Sequence, residues 1–392
     1  MRTVCIITGS RADYGLLRWV MKEVHRDHDL KLQVIASGMH LSPEFGLTYR
    51  DIEADGFVID RKLEMLTSSD SASGVTKSIG LGVIAFADAF NQLQPDIVLL
   101  LGDRFEIFSA ATAALVAGLP IAHLHGGEVT EGAFDEALRH AITKMSHLHF
   151  VAAEPYRRRV LQMGESPENV FLCGGLGVDN IRKTPILSRI ELESSIDFRL
   201  GKRNLLVTFH PVTLEPDTTP IQMGELLRAL DSFRDIHLIL TMPNADTGGR
   251  ELITMIEQFV ATRPNARAYK SLGQLRYLSC MAHVDGVIGN SSSGLTEAPS
   301  LKKGSVNIGN RQRGRLKARS VIDCEPSFTS ILAAIETLYS PSFQASLKDL
   351  ESPYGNGGAS EKIVDVLKSY DLDNITKKSF CDVPPEWIRK DQ

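Results

Sequence analysis

The chain has 392 residues, which is long for one core and predicts two domains of about 180 residues each. A net charge of −5 gives no basic surface, so neither nucleic acid nor an anionic membrane is predicted as a partner. The five cysteines are far apart and contain no CxxC pair, which excludes a disulfide framework and a cysteine zinc site. No apolar run reaches membrane-spanning length and the first residues resemble a strand, so we expect a cytoplasmic protein.

The first half of the chain predicts a domain built from βαβ units, which we place at residues 1–180. Short apolar runs bounded by Gly, Pro or Asp alternate with helical patterns, as is typical of parallel sheets. The predicted strands are residues 4–8, 32–36, 97–101, 120–123 and 148–152. A polar, proline-containing stretch at residues 174–203 follows, and we interpret it as a hinge.

A second series of strands predicts a second domain at residues 200–370. Its strands are residues 204–209, 236–241, 284–288, 305–308 and 321–324. The tail, residues 371–392, is polar but contains Trp387 and Ile388, which predicts that it docks on another part of the chain. The fold class is therefore α/β, with two Rossmann-like doubly wound domains facing across a cleft. Ligands of such sheets bind beyond the carboxyl ends of the strands.

Polar residues follow two strands of the first domain. Gly9 would let a ligand approach the backbone after the first strand, and Arg11 would point into the cleft. Such small residues are also common in α/β turns without a ligand. Asp103 and Arg104 directly follow the third strand, where they either serve the site or form a salt bridge or helix cap.

The densest group of titratable residues follows the fourth strand. Three histidines and four carboxylates lie within eighteen residues, together with one arginine: His123, His125, Glu128, Glu131, Asp135, Glu136, Arg139 and His140. No third ligand is fixed beside the two strand histidines, so metal is not predicted. Competing carboxylates push pKa values apart, as acid–base chemistry requires. Alternatively, Asp135 and Glu136 favour a helix N-terminus, with Asp135 and Arg139 as an i,i+4 pair.

The second domain contributes a histidine, a serine-rich loop and a basic loop. Pro211 stops a strand and leaves His210 at its carboxyl end, where a core histidine is the alternative. Ser291, Ser292 and Ser293 follow another strand and open a helix, so amide, hydroxyl and helix-dipole groups could bind an anion. The loop matches neither Walker A nor GxGxxG. Glu297 could accept hydrogen bonds from a ribose diol, and Arg311 lies in a loop that could bind phosphate or be simply solvated.

These segments together resemble the hydrolysing UDP-N-acetylglucosamine 2-epimerases of sialic acid biosynthesis. The matching motifs are Thr8-Gly9-Ser10-Arg11-Ala12-Asp13-Tyr14-Gly15, Gly102-Asp103-Arg104, the run from His123 to Lys144, Phe209-His210-Pro211, Pro243-Asn244-Ala245-Asp246-Thr247-Gly248, Gly289-Asn290-Ser291-Ser292-Ser293-Gly294 and Arg311-Gln312-x-Gly314-Arg315. The resemblance implies a GT-B fold whose C-terminal helix returns to the first domain. It also implies a homo-oligomer, either a dimer or a tetramer, and no cofactor.

The resemblance further implies roles for individual residues. UDP would be held by Ser291, Ser292, Ser293, Glu297, Arg311, His283 and Asn244, with Arg11 and Arg104 reaching it from the first domain. The residues implied in catalysis are Asp103, His125, Glu128, Asp135 and His210. Many relatives have a glutamate where this chain has His125, so the division of acid and base roles stays open.

The implied reaction converts UDP-N-acetylglucosamine and water to N-acetylmannosamine and UDP. The C2 proton is not acidic, so departure of UDP must lead, giving a glycal that water then hydrates with inversion at C2. Asp103 or Asp135 would take the proton, while Glu128 or His125 would serve the hydration step. The alternatives are the same reaction on a UDP-2,4-diacetamido-trideoxyhexose of legionaminic acid synthesis, a GT-B glycosyltransferase, and a UDP-sugar-binding regulator.

Overall fold

The computed structural model describes residues 1–67, 71–130, 134–211, 218–243 and 249–383, and these form two compact units. The first unit comprises Met1–Glu128, Phe134–Asn180 and the chain from Gly357 onward. The second comprises Ile181–Asn356 and a short stretch that begins at Val129. No helix of the described ranges is long and apolar enough to cross a bilayer.

The first unit contains a seven-stranded parallel sheet. Its strands are β1 (Arg2–Thr8), β2 (Leu30–Ser37), β3 (Arg61–Leu63), β4 (Ile97–Leu101), β5 (Ile121–Leu124), β6 (Leu148–Val151) and β7 (Val170–Leu172). Their order is β3-β2-β1-β4-β5-β6-β7, and every pair is parallel. The helices are α1 (Arg11–Arg26), α2 (Tyr49–Ala54), α3 (Ala72–Leu93), α4 (Phe105–Val116), α5 (Asp135–Met145), α6 (Glu154–Gln162) and α7 (Leu176–Lys183).

Strand β1 shows why these runs are apolar throughout. Val4 and Ile6 belong to one buried cluster with the α1 side chains, whereas Cys5 and Ile7 belong to another cluster with α3 and α4. Alternate residues of a strand face opposite sides, so both sides of the sheet are covered by helices. The apolar run itself therefore positions the polar residues that follow it.

The second unit repeats this arrangement with six strands. They are β8 (Arg203–Thr208), β9 (Ile236–Thr241), β10 (Ala266–Tyr269), β11 (Gly286–Gly289), β12 (Gly304–Ile308) and β13 (Val321–Cys324), in the order β10-β9-β8-β11-β12-β13, all parallel. The helices are α8 (Arg189–Ile196), α9 (Thr219–Asp231), α10 (Gly249–Ala261), α11 (Gly273–His283), α12 (Ser293–Thr296), α13 (Phe328–Leu338) and α14 (Pro341–Ser346).

The predicted α/β class with two doubly wound sheets is confirmed, while three strands were not predicted. Strands β3, β7 and β10 each lie at the edge of a sheet and have only three or four residues. Edge strands are covered less completely, so their sequences carry no long apolar run. Arg61 and Lys62 of β3 illustrate this.

The stretch at residues 174–203, interpreted as a hinge, contains two helices, α7 and α8. Ser188 and Glu191 form a reciprocal capping box at the start of α8. The polarity of this stretch therefore reflects partly exposed helices rather than irregular chain. The division between the two units falls inside α7, at Asn180.

The last helix, α15 (Ala359–Ser369), belongs to the first unit and packs against α1. Ile363 and Leu367 are buried in the cluster that covers one face of the first sheet. The Asp179 carboxylate accepts the N–H groups of Gly358 and Ser360, both at 2.6 Å, and so caps the helix from a distant part of the chain. The predicted second domain, residues 200–370, includes this helix, whereas in the structure the helix belongs to the first unit.

Residues 370–383, the described part of the chain after α15, remain in contact with the first unit. Lys378 donates hydrogen bonds to the carbonyls of Lys144 and Ser146, at 2.8 and 2.5 Å, and pairs with the buried Glu165 at 2.7 Å. Burial opposes ionisation of Glu165, but hydrogen bonds from His149, Lys144 and Lys378 lower its pKa to about 2. Trp387, on which the docking prediction was based, lies outside the described residues.

Candidate active site

The strand order reverses between β1 and β4 in the first sheet and between β8 and β11 in the second. At each reversal the connections after the two neighbouring strands leave in opposite directions, which opens a crevice at the carboxyl ends. The residues following these four strands are therefore the first to consider.

In the first unit, Arg104 lies at the start of α4 and is held by Glu106. Its Nη2 and Nε atoms donate to the two carboxylate oxygens at 2.9 and 3.2 Å. Glu106 is fully buried, and a Cβ atom on Gly38 would lie only 2.7 Å from its Cγ atom. A Cβ atom on Gly9 would approach the Glu106 side chain to 3.1 Å. The two glycines thus make room for a carboxylate that orients the arginine, a role not predicted from the sequence.

Asp13 is a second residue that was not predicted for the site. It lies in the first turn of α1, which is capped by Ser10, whose hydroxyl accepts the Asp13 N–H at 3.3 Å. Its Oδ2 atom is buried and has no hydrogen-bond partner within the described ranges. Burial raises the pKa of Asp13 to about 6, although the positive charge of Arg104 opposes the shift.

Asp103 and Asp135 occupy different electrostatic surroundings. Asp103 accepts a hydrogen bond from Nη2 of the buried Arg139, so its negative charge is compensated by a salt bridge. Asp135 is the first residue of α5, and burial together with the neighbouring Asp103 charge raises its pKa to about 6. A carboxyl with this pKa can hold or release a proton near neutral pH. The pair therefore combines a compensated anion with a proton-exchanging group.

His125 is held in an unusual backbone conformation. Its φ is +64°, in the left-handed region that non-glycine residues enter at a cost of about 1–2 kcal/mol. Its Nδ1 atom lies 2.9 Å from Oε1 of Glu128, while its Nε2 atom is buried without a hydrogen-bond partner in the described part of the chain. The strained backbone and the Glu128 contact therefore fix the direction of this imidazole.

His123 has a structural role. It is fully buried, its Nε2 atom lies 2.8 Å from the Gly102 carbonyl, and its Nδ1 atom lies 3.1 Å from the Thr143 hydroxyl. Burial lowers the pKa of His123 to about 3, so the ring is neutral. It supports the turn that presents Asp103. In the described ranges, no group of three or more His, Cys, Asp or Glu residues is arranged to hold a metal ion.

In the second unit, His210 and Asn290 are joined across the reversal point. The His210 N–H donates to Oδ1 of Asn290 at 2.7 Å, and Nδ2 of Asn290 donates to the His210 carbonyl at 2.8 Å. Gly289 allows this approach, because a Cβ atom there would lie 1.9 Å from the Thr208 carbonyl oxygen. Burial and the charge of Arg311 lower the pKa of His210 to about 4, which keeps it neutral.

The serine loop lies beside the same reversal point. The Ser291 and Ser293 hydroxyls are 3.1 Å apart, and the Tyr277 hydroxyl lies 2.5 Å from that of Ser293. Helix α12 has only four residues, so the expected helix dipole is small and hydroxyl and amide groups would dominate anion binding. Thr208, Gly289 and Ser291 line a pocket with an empty volume of about 200 Å³.

Two further predicted residues lie near the serine loop. Arg311 donates from Nη1 to the Asn290 carbonyl at 3.1 Å, which places its guanidinium beside the loop. Glu297 follows α12, and burial raises its pKa to about 7. The structure thus brings His210, the serines and Arg311 to one edge of the second sheet.

Of the remaining predicted residues, His283 lies away from these groups. His283 ends α11 at the amino end of β11, opposite the serine loop, and its Nε2 donates to the Leu187 carbonyl at 2.7 Å. Its predicted UDP contact is not supported by this position. Arg11 is exposed at the start of α1. Asn244 lies outside the described residues.

Comparison with known proteins yields one family across most of the chain. A family model described as UDP-N-acetylglucosamine 2-epimerase matches residues 22–368. A GDP/UDP-N,N'-diacetylbacillosamine 2-epimerase (hydrolyzing) of Campylobacter jejuni is 41% identical over 97% of this chain and 99% of that protein. A UDP-N,N'-diacetylbacillosamine 2-epimerase (hydrolyzing) of Legionella pneumophila is 37% identical over 95% of this chain and 97% of that protein.

The fold is also that of solved members of this group. The crystal structure of UDP-GlcNAc 2-epimerase from Neisseria meningitidis bound to UDP-GlcNAc superposes with a TM-score of 0.79, covering 94% of this chain and 99% of that one. The sequence identity is 16%, so this likeness establishes the two-domain GT-B fold alone.

Proposed function

Given that the chain belongs to the UDP-N-acetylglucosamine 2-epimerase family and is a hydrolysing UDP-sugar 2-epimerase, we propose that its substrate is UDP-N,N'-diacetylbacillosamine. This nucleotide sugar is a UDP-linked 2,4-diacetamido-trideoxyhexose. The products are UDP and the free sugar inverted at C2. The observation that carries the proposal is the 41% identity, along nearly the whole chain, to a relative named for this substrate.

We assign the diphosphate to the edge of the second sheet. Ser291 and Ser293 supply hydroxyl groups, and Arg311 supplies a positive charge beside them. Glu297 accepts hydrogen bonds from the ribose once it is ionised. These groups stabilise charge on the departing UDP, which lowers the barrier of the first step by electrostatic catalysis.

The elimination step is assigned to the first unit. The bond between C1 and the β-phosphate oxygen breaks, and its electron pair leaves with UDP. Asp135 takes the proton from C2, and the electrons of that C–H bond form the C1=C2 double bond of the glycal. Asp103, whose charge is compensated by Arg139, stabilises the positive charge that develops at C1. Asp135 therefore remains available to accept the proton.

The hydration step is assigned to His125 and Glu128, whose Nδ1 and Oε1 atoms are 2.9 Å apart. One of them accepts a proton from water as its oxygen adds to C1, and a proton is delivered to C2 on the face opposite the one that lost it. The inverted sugar then leaves as the free hemiacetal. The fixed direction of the His125 ring suits a proton transfer whose stereochemistry matters.

A second candidate function is the same reaction on UDP-N-acetylglucosamine, giving N-acetylmannosamine for sialic acid synthesis. The description of the matching family model favours it. The two candidates share every step at C1 and C2 and differ only in the substituents at C4 and C6.

A competition assay distinguishes the two substrates. UDP-N,N'-diacetylbacillosamine and UDP-N-acetylglucosamine are incubated together at equal concentration, and the two free sugars are quantified over time. We expect the diacetamido sugar to be consumed with a kcat/KM about tenfold higher or more, since a site that hydrogen-bonds an acetamido group discriminates against a hydroxyl by about 1.4 kcal/mol or more. A ratio in favour of UDP-N-acetylglucosamine overturns the assignment, and consumption of neither sugar overturns the function.

A further inference from the structure

Inversion at C2 needs two proton transfers, one on each face of the sugar ring. In the proposed function, on which this inference rests, Asp135 removes the C2 proton, and no residue is yet assigned to deliver the new one. The donor must reach the ring from the side opposite Asp135. It must also be an acid that holds a proton near neutral pH.

Asp13 has a carboxylate oxygen that the fold itself does not use. The cap of α1 involves the backbone of this residue, because the Ser10 hydroxyl accepts the Asp13 N–H. The Oδ2 atom is buried and has no hydrogen-bond partner in the parts of the chain that the structure describes. Buried polar atoms are normally paired, so this oxygen is available to a bound substrate.

Asp13 and Asp135 reach the carboxyl edge of the first sheet from opposite sides. Helix α1 packs on one face of the sheet through Leu17, and α5 packs on the other face through Ile142. The two helices follow β1 and β5, which are separated by β4 and therefore lie about 10 Å apart. A sugar ring fits between groups at this separation, so the two carboxyl groups can act on its opposite faces.

Arg104 lies within electrostatic reach of both carboxyl groups. Burial opposes its positive charge, but three nearby carboxylates raise its pKa, those of Glu106, Asp13 and Asp135. For Asp13 the largest influence is burial, which raises its pKa to about 6 although Arg104 opposes the shift. Asp13 can therefore hold a proton near neutral pH, and Arg104 stabilises the carboxylate that remains after the proton is donated.

We propose that Asp13 is the catalytic acid that protonates C2 of the glycal, on the face opposite Asp135. The electron pair of the C1=C2 double bond takes the proton from the Asp13 carboxyl group and forms the new C2–H bond, which leaves positive charge at C1. A water oxygen adds to C1, and the water proton passes through His125 or Glu128 to solvent. The Asp13 carboxylate is left near Arg104 and regains a proton from solvent before the next turnover.

The first test is Asp13→Asn, with UDP-N,N'-diacetylbacillosamine as substrate and NMR of the products. Asparagine has the same shape and no charge, and the backbone N–H that meets Ser10 is retained, so the variant is expected to fold. Elimination does not need Asp13, so UDP should still be released, but the sugar should accumulate as the glycal. The inverted sugar should form at least about 10²-fold more slowly. The matched control is Asp51→Asn, at an exposed position on α2, which should release inverted sugar like the wild type.

Two results of this test overturn the role of Asp13. One is inverted sugar formed by Asp13→Asn at the wild-type rate, and the other is a variant that unfolds cooperatively like the wild type but releases no UDP. Failure of the proposed function is recognised separately, because the wild type itself would then release no UDP. A wrong role for Asp13 leaves the wild type active and gives no glycal in the variant.

The second test uses the wild-type chain, so it holds even if Asp13→Asn does not fold. The synthetic glycal is supplied together with UDP, which isolates hydration from elimination, and the hydration rate is measured between about pH 5 and pH 8. Ser10 and Arg104 favour the Asp13 carboxylate, whereas burial, Glu106 and Asp103 favour the acid and prevail. Because the acid form is required, hydration is expected to slow as the pH rises through about 6. A hydration rate that is constant or rises with pH across this range overturns the proposal.

Discussion

The two strand-order reversals have the same topology and very different chemistry. The edge of the first sheet carries Asp13, Asp103, Arg104, Glu106 and Asp135, which are ionisable and electrostatically coupled. The edge of the second sheet carries hydroxyls, an amide and the neutral His210, with positive charge from Arg311. The same topology can thus present proton-exchanging groups at one reversal point and anion-binding groups at the other.

The largest expected effect is a loss of turnover without a loss of UDP binding, caused by substitutions at the edge of the first sheet. Asp135→Asn and Asp103→Asn are each expected to lower kcat by about 10²-fold or more, because one removes the proposed base and the other the proposed stabilising anion. UDP affinity, measured by calorimetry, should change little. Asp51→Asn, at an exposed position on α2, serves as the control. Near-normal turnover in either variant would remove that residue from the mechanism.

A substitution at the edge of the second sheet is expected to weaken UDP binding instead. Arg311→Ala is expected to weaken UDP binding about tenfold or more, since a charge-assisted contact is lost. The control is Arg313→Ala, two residues along the same loop and exposed. Titration of both variants with UDP checks the result. Wild-type UDP affinity in the Arg311→Ala variant would mean that Arg311 does not hold the diphosphate.

The pH dependences of kcat and of UDP affinity should also distinguish the edge of the first sheet from the edge of the second. Asp135 must be ionised to accept a proton, and its pKa is raised to about 6, so kcat is expected to fall as the pH drops through about 6. Glu297 has a pKa raised to about 7, so UDP affinity is expected to fall as the pH drops through about 7. Glu297→Gln should remove that part of the affinity profile. An unchanged profile would contradict the ribose contact.

The smallest effect concerns the residue that orients Arg104. Glu106→Gln keeps the size of the side chain but removes the charge, and we expect kcat/KM to fall about tenfold. In an Arg104→Ala background the same change should have little further effect, because Glu106 acts through the arginine. An equal loss in both backgrounds would indicate a purely structural role for Glu106.

Much of this organisation could be predicted from the sequence, because central strands buried on both faces leave uninterrupted apolar runs. The central strands β4 and β9 were placed at their observed bounds, and Asp103 and Arg104 were predicted directly after β4. Asp13 and Glu106 were missed, because an acidic residue in the first turn of a helix is equally expected as a dipole partner. Their burial depends on side chains and glycines distant in sequence.

Three other features could not be predicted from the sequence. Asp179 caps α15 from 180 residues away, so no local pattern connects them. His283 was assigned to UDP from family resemblance, yet its helix ends at the amino edge of the sheet. A helix of one turn, such as α12, is too short to show helical periodicity in the sequence, so its length could not be predicted.

The most direct test of the central claim is turnover in D₂O, followed by NMR of the released sugar. Elimination and hydration at the first unit predict a free sugar with inverted C2 and one deuterium at that carbon, together with UDP. Asp135→Asn should form this product at least about 10²-fold more slowly while still binding UDP. An intact nucleotide sugar, or a free sugar that retains its C2 proton, would contradict the account.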